Sequence, residues 1–256
     1  MATLSMALSR RIVGSGTPDV VWQKWLDTQP VSAIVLPELV PAGQRAIIVA
    51  PHPDDETLGC GGLLQLLANY HRETTLIAAT DGTASHPGSR LWPAERLARI
   101  RPDETRNALR LLDLHEITVI RAGISDGTVS RHVKKLAAVI EAQVRPRDVI
   151  FCPWKCDGHP DHEACALAAI AALRNTSARL VEFPIWMWHW AIPGDPRIPW
   201  HRAGRLQLEK NLIERKRAAV NCYRSQIEAD FSTGREPILS PNVLRRLLHA
   251  QEFYFI

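Results

Sequence analysis

The chain reads as an α/β protein, a three-layer Rossmann-like fold with a mostly parallel central sheet. Two observations predict it. Short aliphatic runs alternate with longer segments whose apolar residues recur at helical spacing. The aliphatic runs are also continuous rather than alternating with polar residues, as expected of strands buried on both faces beneath two helix layers.

In chain order, "RAIIVA" is the first strand and "LGCGGLLQLLANYHR" the helix after it. "TTLIAATDG" reads as a strand ending in a turn. "PAERLARIRPDETRNALRLLDL" reads as a helix with a break expected before Pro102, because proline disfavours helical backbone in the residue preceding it. "EITVIRAG" and "SRHVKKLAAVIEAQVR" form the third pair, "DVIFCPW" and "HEACALAAIAALRN" the fourth. "ARLVEFPIWMWHW" reads as one longer strand, on which Trp186, Trp188 and Trp190 would share a face. That face suits packing or a subunit interface, with one tryptophan or His189 at a pocket rim. The tail after Gln207 reads as a long helix, a loop through Pro237, a short helix and a closing strand "EFYF". Residues 1–42 look like an N-terminal extension with a short helix at Val20 to Leu26, packed on a single domain at 43–256.

At 256 residues, 46% hydrophobic and 23% charged, the chain can bury a substantial core. Its net charge of +4 is scattered in short clusters such as Arg215-Lys216-Arg217, without the basic stripe of a nucleic-acid binder. Five cysteines without scaffold spacing point to a reducing compartment. The arginines of the N-terminus follow its apolar stretch, the wrong order for a secretory signal. No apolar segment approaches the roughly 18 residues of a membrane span. The expectation is a cytoplasmic protein with no nucleic-acid partner and no membrane span.

Packing does not explain "PHPDDETLGCGG" after the first strand or "DGHPDHEA" after the fourth. Ligands in open α/β sheets bind beyond the carboxyl ends of strands, so these two loops can face one crevice. His52 and Asp55, three apart, present both side chains on one side of a turn. With His162 they make two imidazoles and a carboxylate, the donor set of a catalytic Zn2+ with a position open for water. Asp54, not needed as a ligand, is placed to take the water's proton. His159 suits a cation or proton donor toward the oxyanion or leaving group, and Asp161 an orienting partner for such a histidine.

These motifs resemble the PIG-L/LmbE family of zinc-dependent N-deacetylases. The likeness extends to "ATDGTAS", "RPDETRNALRLLDL", "SDGTV" and "AAVNCYRSQ", spanning roughly residues 44–226. The resemblance implies zinc at His52, Asp55 and His162, Asp54 as general base and His159 as second catalytic group. It implies removal of acetate from an N-acetylglucosamine-like sugar in a small conjugate, with Arg101 and Asp126 contacting the sugar. Some members carry a tyrosine two residues before the first histidine of "HPDH", where this chain has Asp157.

Ordinary structural explanations compete at each position. Asp161 reads equally as a helix cap, Glu56 as a supporting group or a helix-start charge, and Asp81 and Asp126 as turn formers. Cys152 and Cys156 read as core or loop cysteines. His71, His86, His115, His132 and His249 read as surface residues. Rival functions are a non-haem iron site, a zinc amidase with another N-acyl substrate, and a non-catalytic carbohydrate binder. The partner expected is a small N-acetyl amino sugar conjugate; a homo-oligomer is compatible with the aromatic face.

Overall fold

The fold is described from a computed structural model, for residues 10–256. The eight strands are β1 (Ser32–Ile34), β2 (Ala46–Ala50), β3 (Thr74–Ala78), β4 (Thr118–Arg121), β5 (Val149–Pro153), β6 (Arg179–Phe183), β7 (Ala203–Gln207) and β8 (Gln251–Phe255). They form one sheet in the order β1-β7-β8-β6-β5-β2-β3-β4. Only β8 runs antiparallel, to both β6 and β7. The three-layer α/β expectation holds.

The helices of eight or more residues are α1 (Asp19–Leu26), α3 (Asp55–Asn69), α4 (Ala94–Leu111), α5 (Val133–Glu141), α6 (Pro160–Ala172) and α8 (Lys210–Val220). Shorter ones are α2 (Leu36–Leu39), α7 (Met187–Trp190), α9 (Arg224–Ile227) and α10 (Pro241–Leu247). Every residue of β2 is buried, and its side chains divide by parity between two cores. Ala46, Ile48 and Ala50 join the core under α3, α4 and α8, while Ile47 and Val49 join the one under α5 and α6.

What positions the site is the place of β2. It pairs with β3 on one side and β5 on the other, all parallel, so the chain's winding reverses there. The loops leaving β2 and β5 emerge side by side at the carboxyl edge, the place where such sheets open a crevice.

Several expectations need correction. The break before Pro102 is absent: α4 runs through it. Leu97, Arg101, Glu104, Thr105 and Ala108 lie buried at helical spacing along it, and the inward bonds of Arg101 hold the helix across the proline. The long strand "ARLVEFPIWMWHW" stops at Phe183. Pro184 has no N–H for the ladder, and the carboxylate of Asp157 takes the next three amides, from Ile185, Trp186 and Met187. The chain therefore turns into α7, and the three tryptophans do not share a strand face. Trp190 stacks on Trp154 with centroids 6.2 Å apart, and Trp188 meets Trp22 edge-on. His189 is buried between Val13 O and Arg246, away from any rim. β1 and β7 carry no strand signal strong enough to predict them. His86 and, in part, His249 are buried rather than at the surface.

Of the N-terminal extension, residues 10–42 lie within the described part and 1–9 outside it. β1 adds an edge strand against β7, and Trp22, 1% exposed, donates its indole N–H to Trp188 O at 2.9 Å.

Two glycines in α3 are demanded by packing. A Cβ on Gly59 would lie 2.3 Å from Phe183 Cδ2, and one on Gly62 2.3 Å from Leu208 Cδ2. Helix propensity favours alanine there by about 1 kcal/mol, whereas overpacking costs about 1–3 kcal/mol. Gly59→Ala should therefore lower the melting temperature; an unchanged or raised value would show that Phe183 can move aside.

Candidate metal centre

His52, Asp54 and Asp55 leave β2 on a turn that ends in the first residue of α3. Asp54 adopts φ +119°, a conformation that costs a non-glycine residue about 1–3 kcal/mol. The surroundings impose it. The Asp54 N–H donates to Glu56 Oε2 at 3.2 Å, and its carbonyl accepts from Thr57 and Leu58. Arg101, 2% exposed, donates to Pro53 O, to Gly82 O and, at 3.1 Å, to Asp54 Oδ2. Glu56 accepts from the Tyr223 hydroxyl at 2.5 Å, and Glu104 accepts from the N–H and hydroxyl of Ser225. The "RPDETRNAL" and "CYRSQ" segments thus brace the acidic loop from below.

From the other side, β5 delivers Asp157, His159 and His162. His162 is fully buried on α6, and its Nδ1 meets Asp157 Oδ2 at 2.8 Å. Its Nε2 is buried, has no hydrogen-bond partner, and lies 3.2 Å from Asp55 Oδ2. The same oxygen lies 3.1 Å from His52 Nδ1, while His52 Nε2 faces Asp126 Oδ1 at 3.2 Å and Asp161 Oδ2 at 3.4 Å. Both nitrogens of each imidazole therefore face carboxylates, and the two rings share Asp55 Oδ2.

Asp55 Oδ2 thus lies between His52 Nδ1 and His162 Nε2, at 3.1 and 3.2 Å. Neighbouring ligands of a tetrahedral zinc with bonds near 2.1 Å stand roughly 3.3 Å apart. Among the described residues, His52, His159 and His162 each offer a ring nitrogen within 4.8 Å of the others and form a group that could hold a metal ion. A second group among the described residues that could hold a metal ion is His52, Asp126 and Asp161. There the carboxylates are already spent on backbone amides: Asp126 accepts from Ala84, and Asp161 from Gly127 and Val129.

Electrostatics separates the two adjacent aspartates. Burial, outweighing the neighbouring Arg101, pushes the Asp54 carboxyl well above its ordinary range. Burial would raise Asp55 too, but His162 and His52 outweigh it and hold Asp55 well below that range. Burial also raises Glu56, to about 7. It lowers His159 to about 3, helped by His162 and His52, so His159 is a neutral imidazole. Its Nδ1 accepts from the Asp161 N–H at 3.2 Å, which leaves the ring proton on Nε2. His159, rather than Asp161, is thus the cap of α6. The Asp161 carboxylate points to the loop 126–129 and to His52, not to His159.

His52, Asp54, Asp55, Arg101, Asp126 and His159 line a cleft of about 340 Å³, together with Leu58, Trp186, Ile238 and Leu239. The sequence reading missed Asp157 as the anchor of His162. The one available signal was an acid five residues before a candidate ligand.

Burial lowers His162 and Asp55 and Asp157 raise it, for a net value of about 9. A histidine held above its unfolded value of about 6.5 contributes stability fully below that pH, and loses it as pH rises through the folded value. The metal-free protein should therefore show a melting temperature that falls between pH 6.5 and 9, with the slope reduced in His162→Ala. Zinc, which competes with that proton, should bind more tightly across the same interval. Slopes equal in both proteins would contradict this electrostatic reading. Separately, Asp54→Gly should match or exceed the parent in melting temperature, since it relieves the strained φ.

The description "PIG-L: GlcNAc-PI de-N-acetylase" matches residues 47–173. The chain is 26% identical over 132 residues to the diacetylchitobiose deacetylase of Thermococcus kodakarensis, covering 51% of this chain and 49% of that one. It is 31% identical over 137 residues to a probable N-acetyl-alpha-D-glucosaminyl L-malate deacetylase 2 of Bacillus subtilis, covering 51% and 61%. The matched region thus spans about half to three-fifths of these relatives. Among solved structures, the N,N'-diacetylchitobiose deacetylase from Pyrococcus horikoshii superimposes with a TM-score of 0.57 at 21% identity, over 77% of this chain and 76% of that one, a likeness of fold. Motifs, sheet topology and these matches agree: the chain belongs to the PIG-L/LmbE family.

Proposed function

We propose that the protein is a zinc-dependent hydrolase that removes the acetyl group from an N-acetylglucosamine-like amino sugar in a small conjugate. The observation that carries this reading is the position of Asp55 Oδ2, 3.1 Å from one imidazole and 3.2 Å from the other, beside a second carboxylate engaged by Arg101. The names of the relatives, deacetylases of diacetylchitobiose and of an N-acetylglucosaminyl malate, support the bond and the sugar.

His52, Asp55 and His162 would hold the zinc, which when bound supplies Lewis acidity toward water and the acyl oxygen. Asp54 accepts the proton of the attacking water. Its raised pKa favours that task, and the Arg101 contact to Oδ2 fixes the carboxylate in the cleft. His159 donates its Nε2 proton as a hydrogen bond to the acyl oxygen as negative charge develops there. A neutral imidazole can do this without first being charged. The proton on Asp54 then passes to the leaving nitrogen, completing an amine and acetate. Asp161 holds the loop 126–129 and caps nothing itself; Asp126, on that loop, contacts the sugar. Arg101 acts mainly by positioning Asp54, because both of its terminal nitrogens donate to protein oxygens and its Nε is buried without a hydrogen-bond partner. Residues 43–256 form the catalytic domain, with the described part of the extension, residues 10–42, packed on it.

Acetate release from N-acetyl sugar conjugates by zinc-loaded protein tests this. Asp54→Ala should lose at least about 100-fold in rate while retaining zinc. His162→Ala should lose zinc itself. Undiminished turnover in Asp54→Ala would remove that residue from the mechanism.

A further inference from the structure

The cleft lining holds two unlike sets of side chains. One is the histidines, carboxylates and Arg101; the other is apolar: Leu58, Trp186, Ile238 and Leu239. Leu58 and Leu239 are nearly fully buried, while Trp186 is half-buried and Ile238 is 37% exposed. Ile238 and Leu239 end the loop from Glu228 to Ser240, and that loop is fixed in place. Asp230 accepts from Ser232 and Thr233 and pairs with Arg235 across a bridge. Ser232 Oγ accepts from the amides of Arg90 and Leu91, and Leu239 N–H donates to Gln226 O. A rigid loop that offers an isoleucine to the cleft is a preformed apolar contact.

Charge argues in the same direction. Among the described residues lining the cleft, the only lysine or arginine is Arg101, and its guanidinium donates to Pro53 O, Gly82 O and Asp54. A carboxylate or phosphate on the far part of a substrate would meet no lysine there and no solvent-exposed guanidinium N–H, since the one unpartnered nitrogen of Arg101, Nε, is buried. It would instead lie in a cleft that already holds Asp54, Asp55 and Asp126.

We propose that the part of the substrate beyond the N-acetyl sugar is uncharged and apolar, an alkyl or aryl group seated against Trp186, Ile238 and Leu239. The proposal rests on the deacetylase reading above and goes beyond it by naming the class of aglycone.

Acetate release is compared for hexyl and phenyl N-acetylglucosaminides, N-acetylglucosaminyl malate and free N-acetylglucosamine. The hexyl and phenyl glycosides should exceed the other two by about tenfold or more in kcat/KM, expressed mainly in KM. Ile238→Ser, at a partly exposed position, should keep its melting temperature and zinc content while losing most of that preference; Trp186→Ala should weaken it independently. Calorimetric titration of the same four compounds into Asp54→Asn reads binding without turnover. Equal or tighter binding of the malate conjugate, or a preference unchanged in Ile238→Ser, would overturn the apolar subsite and leave the deacetylase reading intact. Preferential binding of the hexyl glycoside without any acetate release by the parent protein would support the subsite and sink the deacetylase reading instead.

Discussion

Asp54, Asp55, Asp157 and Asp161 are packed into one crevice where none is more than 6% exposed, and that concentration of buried acid is the constraint on which the structure depends. Ionised carboxylates are tolerated away from water only where cations or hydrogen-bond donors are supplied. Each of the four receives a different supply. Asp157 takes three backbone amides and an imidazole. Asp161 takes two backbone amides of the neighbouring loop. Asp55 sits between two imidazoles, and Asp54 receives one guanidinium. The carboxylates that are fully satisfied build the site, and the less satisfied ones are left for chemistry.

The contrast between Asp54 and Asp55 follows directly. Adjacent in sequence and equally sheltered, they are driven apart in proton affinity because the histidines gather around one and not the other. Environments that separate two titratable neighbours commonly mark an acid–base pair or a ligand beside a base. Asp54 holds a positive φ, and the Glu56–Tyr223 and Glu104–Ser225 contacts restrain the surrounding elements.

Much of this was legible along the chain. β2, β3 and β5 announce themselves as uninterrupted aliphatic runs, and acids and histidines directly after such runs have little reason to be there except at a crevice. The convergence of His52, Asp55 and His162 follows once β2 and β5 are neighbours. What could not be read depends on partners distant in sequence. "VEFPIWMW" looks like a strand until the Asp157 carboxylate takes its amides and bends it into a helix. Pro102 looks like a stop until Arg101 is anchored across the fold. β7, with a glycine and an arginine among five residues, becomes a strand because β1 and β8 flank it. Local pattern reports burial and periodicity; it does not report which distant carboxylate will intercept a backbone.

X-ray absorption at the zinc edge of the metal-loaded protein would test the central claim most directly. One zinc per chain is expected, with two imidazole nitrogens at about 2.0–2.1 Å and an oxygen ligand, and a spectrum with a single imidazole or no bound zinc in His162→Ala. A sulfur ligand, or two imidazoles persisting in His162→Ala, would contradict it.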